Sequence, residues 1–334
     1  MTASTEPQPA TALSIPVARM RHLYRCADVH QRLAKLGDGE AAPLRHTYER
    51  MIERGPERFQ VKPSGLPALD ALYEELPNFH TVLDDLKRQL ALTQDSSDAL
   101  ELTPMLLLGP PGVGKTHFAR EVAALLGTGL GFVSMSSLTA GWVLSGASSQ
   151  GKGARPGKVF ETLVDGEYAN PLIVVDEIDK ARGEHAYDPL GALYSLLEQD
   201  TAADFTDEFA EVAIDASQVI WIATANDERS IPEPILNRMN VFEVERPSAE
   251  QARSIALRLY RQLRDGHQWG RHFDPEPSEA VLTRMSELVP REMRRAWTSA
   301  FGNARLDGRA CIVIADLPAG QACGARAPIG FVRH

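Results

Sequence analysis

The run Gly109-Pro110-Pro111-Gly112-Val113-Gly114-Lys115-Thr116 satisfies G-x-x-x-x-G-K-[ST], and its flanks restrict the folds that can present it. Met105–Leu108 before it is a short apolar run of strand length. Thr116–Leu126 after it places Phe118, Val122, Leu125 and Leu126 on one helical face, and Gly127 stops the helix. A glycine-rich turn from strand to helix lets successive backbone N–H groups converge on a phosphate. The helix N-terminus adds partial positive charge. In such a loop Lys115 reaches the β- and γ-phosphates and Thr116 offers a hydroxyl to Mg²⁺. The pattern predicts a site for ATP and Mg²⁺ built on Gly109, Pro110, Pro111, Gly112, Val113, Gly114, Lys115 and Thr116.

The rest of the middle region alternates in the way such a loop requires. Phe132–Met135, Leu172–Val175, Val219–Ala225 and Val241–Val244 read as strands, with helices over Val159–Leu163 and Leu190–Leu197. Strands alternating with helices imply a parallel sheet covered on both faces. Leu172-Ile173-Val174-Val175 is apolar throughout, as a strand covered on both faces should be, and delivers Asp176 and Glu177 to the ligand edge of the sheet. Asp176 is expected in the Mg²⁺ shell beside Thr116, and Glu177 is placed to polarise an attacking water. Asn226 ends another strand and is expected to orient that water or touch the γ-phosphate. Beyond Pro247 the pattern turns helical, over Ala249–Arg264, Pro277–Leu288 and Arg291–Arg305. The expected organisation is an N-terminal helical region over 1–72 with a disordered lead, an α/β domain over 73–247, a small helical domain over 248–316 and a tail over 317–334.

Composition narrows the partners. A net charge of −10 and no dense basic stripe disfavour nucleic acid. The cysteines are three, Cys26, Cys311 and Cys323, with no C-x-x-C spacing, which fits a reducing cytoplasm better than a disulfide or zinc scaffold. No apolar run approaches the roughly 18–20 residues of a membrane span, and the first residues lack a signal-peptide core.

GPPGVGKT, VVDEIDK (174–180), IATAND (222–227) and IPEPILNRM (231–239), with DPLGALYSLLEQD and FTDEFAEVAID between them, resemble the AAA+ module of Lon proteases from about Leu76 to Leu306. The resemblance implies a P-loop NTPase sheet with helices on both faces, followed by an all-helical AAA+ lid. It implies catalytic roles for Lys115 and Glu177. It also makes Asn226 sensor 1, Arg238 an arginine finger acting on a neighbouring subunit, and Arg291 sensor 2, with Arg294 and Arg295 as close competitors. A homo-oligomer, a hexameric ring foremost, follows from the same likeness. About thirty residues follow Ala300, too few for the family's Ser–Lys peptidase domain, so no proteolysis is expected. The family's aromatic pore-loop pair has no counterpart at Gly151-Lys152; Trp142 nearby either grips an extended chain or anchors its own loop. The basic residues Lys152, Arg155 and Lys158 either face an acidic chain or are solvated. The leading function is an ATPase that remodels a protein partner; a nucleic-acid motor or loader and a slow ATP-dependent switch are the alternatives.

Overall fold

The computed structural model describes residues 16–37, 42–94, 96–137, 141–148, 153–181 and 188–318. The chain divides into two compact units, Met1–Arg246 and Pro247–His334. The expectations for the lead, for Gly151 and Lys152, for Cys323 and for the tail beyond 318 lie outside the described residues.

The first unit opens with β1 (Pro16–His22), α1 (Cys26–Lys35), α2 (Ala42–Arg54) and β2 (Glu57–Pro63). α3 (Asp70–Glu75), a 3₁₀ turn at Pro77–Phe79 and α4 (His80–Ala91) follow; Pro77 breaks the helical run at the point where it cannot donate a backbone hydrogen bond. Then come β3 (Met105–Leu108), α5 (Lys115–Leu126), β4 (Leu130–Ser134), α6 (Lys158–Phe160) and β5 (Leu172–Asp176). The unit ends with α7 (Leu193–Leu196), α8 (Gln199–Ala202), β6 (Phe205–Thr206), β7 (Ala213–Ile214), β8 (Ile220–Ala225), α9 (Glu233–Leu236) and β9 (Asn240–Glu243).

Five of these strands form one parallel sheet in the order β4-β5-β8-β3-β9. The three inner strands, β5, β8 and β3, are buried on both faces because both are covered. Met105, Leu107, Leu172, Val174, Ile220 and Ile222 pack with α3, α4 and α5. Leu106, Ile173, Val175, Trp221 and Ala223 pack on the opposite side, with residues of α1, α2 and α7. The chain leaves β3 and returns three positions away at β4, so a crevice opens at the C-terminal end of β3, the position where parallel sheets bind ligands.

Three expectations need correcting. Residues 1–72 read as a helical region, but β1 and β2 pair antiparallel there, from Pro16↔Pro63 to His22↔Glu57. The helix expected at Val159–Leu163 begins as α6 and widens into a π-type turn at Glu161–Asp165, and the one expected at Leu190–Leu197 is regular only over α7.

The second unit contains α10 (Ala249–Asp265), α11 (Glu279–Ser286) and α12 (Pro290–Leu306). Ser248 and Gln251 form a reciprocal capping box that starts α10. Its core is aromatic: Tyr260 lies 5.0 Å from both Trp297 and Phe301, and Trp297 Nε1 donates to Ala256 O at 2.9 Å.

Candidate functional site

Every residue of the site stands at or just beyond a C-terminal strand end. After β3 the backbone turns at Gly109, whose N–H donates to Ala225 O at the end of β8. A Cβ on Gly109 would sit 2.1 Å from Val244 O, so no larger residue fits the turn. Gly114 has φ +113°, a conformation open to glycine, and caps α5. Beneath the loop, Phe79 stacks on Phe118 at 5.0 Å, and Asn78 Nδ2 donates to Glu245 O at 3.0 Å. The loop is thus seated on packed side chains.

Lys115 is the first residue of α5 and is buried. Its Nζ donates to Gly109 O at 2.6 Å, Pro110 O at 3.0 Å and Asn226 Oδ1 at 3.2 Å. Burial pulls the ammonium below the ordinary lysine range, while the carboxylates of Asp176, Asp179 and Glu177 act the other way. Thr116 Oγ1 donates to Asp176 Oδ1 at 3.1 Å, which brings the two expected metal-binding oxygens together. Lys115, Thr116, Asp176 and Asn226, drawn from three strands, therefore meet at one place.

Thr224 belongs to this group and was not singled out by the sequence reading. Its hydroxyl donates to Asp176 Oδ1 at 2.6 Å and accepts from Glu177 N at 3.0 Å. A hydroxyl inside the otherwise apolar, buried β8 was the available signal. Glu177 adopts φ +55°, a left-handed conformation costing a non-glycine residue about 1–3 kcal/mol. The Thr224 bond holds that turn. Two residues on, the buried Asp179 is paired with Lys180 Nζ at 2.8 Å.

Of the two expected arginines, Arg238 is held by partners outside this group. Arg238 follows α9; its Nε donates to Glu198 Oε1 at 2.6 Å and its Nη1 to Pro234 O at 2.6 Å. Arg291 lies in the first turn of α12, in the second unit, and is exposed.

In the loop region between β4 and α6, Trp142 has a basic neighbour. The Arg155 guanidinium lies 4.7 Å from the centre of its ring, and Lys158 pairs with Glu161 at 3.3 Å. The ring and two of the basic residues are thus engaged locally. The loop is fastened to the β6–β7 hairpin by Asp207, whose buried carboxylate accepts from Gly157 N at 2.8 Å and from Phe209 N and Ala210 N at 3.0 Å. Desolvation pushes Asp207 up to about 6, against the three N–H donors. The folded chain therefore binds this proton more tightly than the unfolded one. The contribution to stability is complete below the ordinary carboxylate range near 4 and is lost as pH rises through 6, roughly 3 kcal/mol in all. Unfolding curves between pH 4 and 7 should fall less steeply for Asp207→Asn than for the wild type; equal slopes would exclude this assignment.

Residues 105–246 match the family described as "ATPase family associated with various cellular activities (AAA)". Residues 105–246 thus resemble an AAA domain. Around that domain the chain is 35% identical over 179 residues to the mitochondrial Lon protease homolog of Schizosaccharomyces pombe, covering 53% of this chain and 17% of that protein. It is 35% identical over 196 residues to Lon protease of Finegoldia magna, covering 56% and 25%. With the mitochondrial Lon protease homolog of Rattus norvegicus it shares 38% over 150 residues, covering 45% and 16%. The chain thus spans a quarter or less of the length of these relatives. Among solved structures, the Thermotoga maritima RuvB Holliday junction branch migration motor superposes with a TM-score of 0.49 at 16% identity, covering 76% of this chain and 70% of that one. A likeness of that degree decides neither substrate nor partner. No helix among the described residues is long and apolar enough to cross a membrane.

Proposed function

We propose that the AAA domain binds Mg·ATP at Gly109–Thr116 and hydrolyses it. The observation that carries this reading is the convergence of Lys115, Thr116, Asp176 and Asn226 at the ends of β3, β5 and β8. The donors fit the groups: backbone N–H groups and an ammonium suit phosphate, and a hydroxyl with a carboxylate suits a hard dication. When bound, Mg²⁺ supplies charge neutralisation on the β- and γ-phosphates. The protein supplies the rest. Lys115 holds phosphate charge, Glu177 accepts a proton from the attacking water, and Asn226 orients that water. Thr224 fixes Asp176 and Glu177 relative to each other. Arg238 serves a neighbouring copy's nucleotide, and Arg291 serves its own as sensor 2.

The domain's work is remodelling of a protein partner, within a homo-oligomeric ring and in a reducing, cytoplasmic compartment. The net charge of −10 supports a protein over a nucleic-acid partner. The local engagement of Trp142 by Arg155 favours partner remodelling without an aromatic grip from that ring.

Glu177→Gln tests the chemistry. The amide is nearly isosteric and cannot take the proton, so Mg·ATP affinity should stay within a few-fold while turnover falls by about 10²–10⁴. Normal turnover in this variant would assign the base to another group. Wild-type turnover should rise with an unfolded protein and not with DNA; the reverse pattern would establish the nucleic-acid motor, and no rise with either would establish the switch.

A further inference from the structure

We propose that Glu75, His117 and Glu121 form a binding site for Zn²⁺ that is separate from the nucleotide's own metal site. His117 and Glu121 are four residues apart on α5 and so share one helical face, a spacing that lets two side chains chelate one ion. Glu75 comes from the end of α3, across from that face. His117 Nε2 lies 2.9 Å from Glu75 Oε1 and His117 Nδ1 lies 3.5 Å from Glu121 Oε1. One donor atom from each of the three residues falls within 4.8 Å of the others.

The chemistry of the donors selects the ion. Two carboxylates and a neutral imidazole carry a charge of −2, which a dication neutralises. An imidazole nitrogen favours Zn²⁺ over Mg²⁺ or Ca²⁺, which take oxygen ligands. Four-coordinate zinc places its ligand atoms about 2.0–2.2 Å from the ion. The two contacts use different ring nitrogens, so binding requires the carboxylates to turn until both face the same nitrogen, which side chains 23%, 48% and 35% exposed can do by rotation. That same exposure leaves the fourth position to water. If the ring is protonated beforehand, the proton on the ligating nitrogen leaves to solvent as the metal binds. His117 directly follows Thr116, so an ion here would tie α3 to the first turns of the helix that begins the phosphate loop's far side. The inference rests on these three side chains and not on the nucleotide reading.

The test uses the full chain without an affinity tag, stripped with a chelator and free of nucleotide. Titration with Co²⁺, followed by visible absorbance, and with Zn²⁺, followed by calorimetry, should give one equivalent bound at micromolar affinity. Zn²⁺ at 100-fold above its Kd should raise Tm by about 5 °C. His117→Ala should weaken binding at least about 100-fold and remove the Tm shift, with an unchanged circular dichroism spectrum. Glu121→Gln should weaken it by at least tenfold, on the order expected from losing one charged ligand. No stoichiometric binding at about 100 μM metal, or equal affinity in a folded His117→Ala, would overturn the site and leave the triad an ion-pair cluster.

Discussion

Lys115→Ala is expected to lose Mg·ATP affinity by about 10²–10⁴, the equivalent of two charge-assisted hydrogen bonds at about 1.5–3 kcal/mol each. The geometry explains why the loss should be that large. The ammonium is buried at the start of α5, between the carbonyls of Gly109 and Pro110 and the amide of Asn226. Truncation also strips the two carbonyls of their donor, which costs about 1–3 kcal/mol of stability. Calorimetric titration of ATP must therefore be paired with thermal unfolding. A folded variant that binds ATP as tightly as the wild type would remove the phosphate-binding role from Gly109–Thr116.

The parts of this site that the sequence made legible share one physical property. β3, β5 and β8 are covered on both faces, so they read as runs apolar but for Thr224, and the polar residues at their ends stand out: the phosphate loop, Asp176-Glu177 and Asn226. The N-terminal strands have no such signal. β1 is PVARMRH and β2 is ERFQVKP; both mix charges with apolar residues, and Val17, Met20 and Phe59 are exposed. Their pairing joins residues up to 47 positions apart (63 − 16), which local patterning does not report. β6 and β7, two residues each, are too short to show a period. Thr224 escaped for a different reason. Threonine is at home in strands, and only the hydrogen bonds to Asp176 and Glu177 separate it from a strand former. Arginines raise the opposite difficulty. The family resemblance marks Arg238 and Arg291, yet the phosphates they would serve depend on how copies and units meet, which no pattern within one chain encodes.

That dependence makes Arg238 the most informative residue to change. Its guanidinium is held by Glu198 through Nε and by Pro234 O through Nη1, and neither contact engages Nη2. The side chain is thus oriented yet retains a donor edge, as a group offered to a neighbour's γ-phosphate would be. Arg238→Ala should bind Mg·ATP normally and lose about 10³–10⁵ in turnover, or about 4–7 kcal/mol of transition-state stabilisation, because charge spreading over the γ-phosphoryl oxygens loses the cation that meets it in the transition state. If the arginine acts within its own subunit, mixing variants cannot help. If it acts on the next subunit, equal mixing with Lys115→Ala should restore activity, since an intact finger on one copy meets an intact phosphate loop on the other. Random head-to-tail assembly gives productive pairs at half of the Arg238→Ala sites, so recovery should approach about a quarter of the wild-type rate. Glu198→Ala should leave turnover nearer the wild type, because it frees the arginine without removing it. Light scattering under turnover conditions decides the assembly: a monomer with full activity, or co-assembled variants with no recovery, would make Arg238 a residue of its own surface alone.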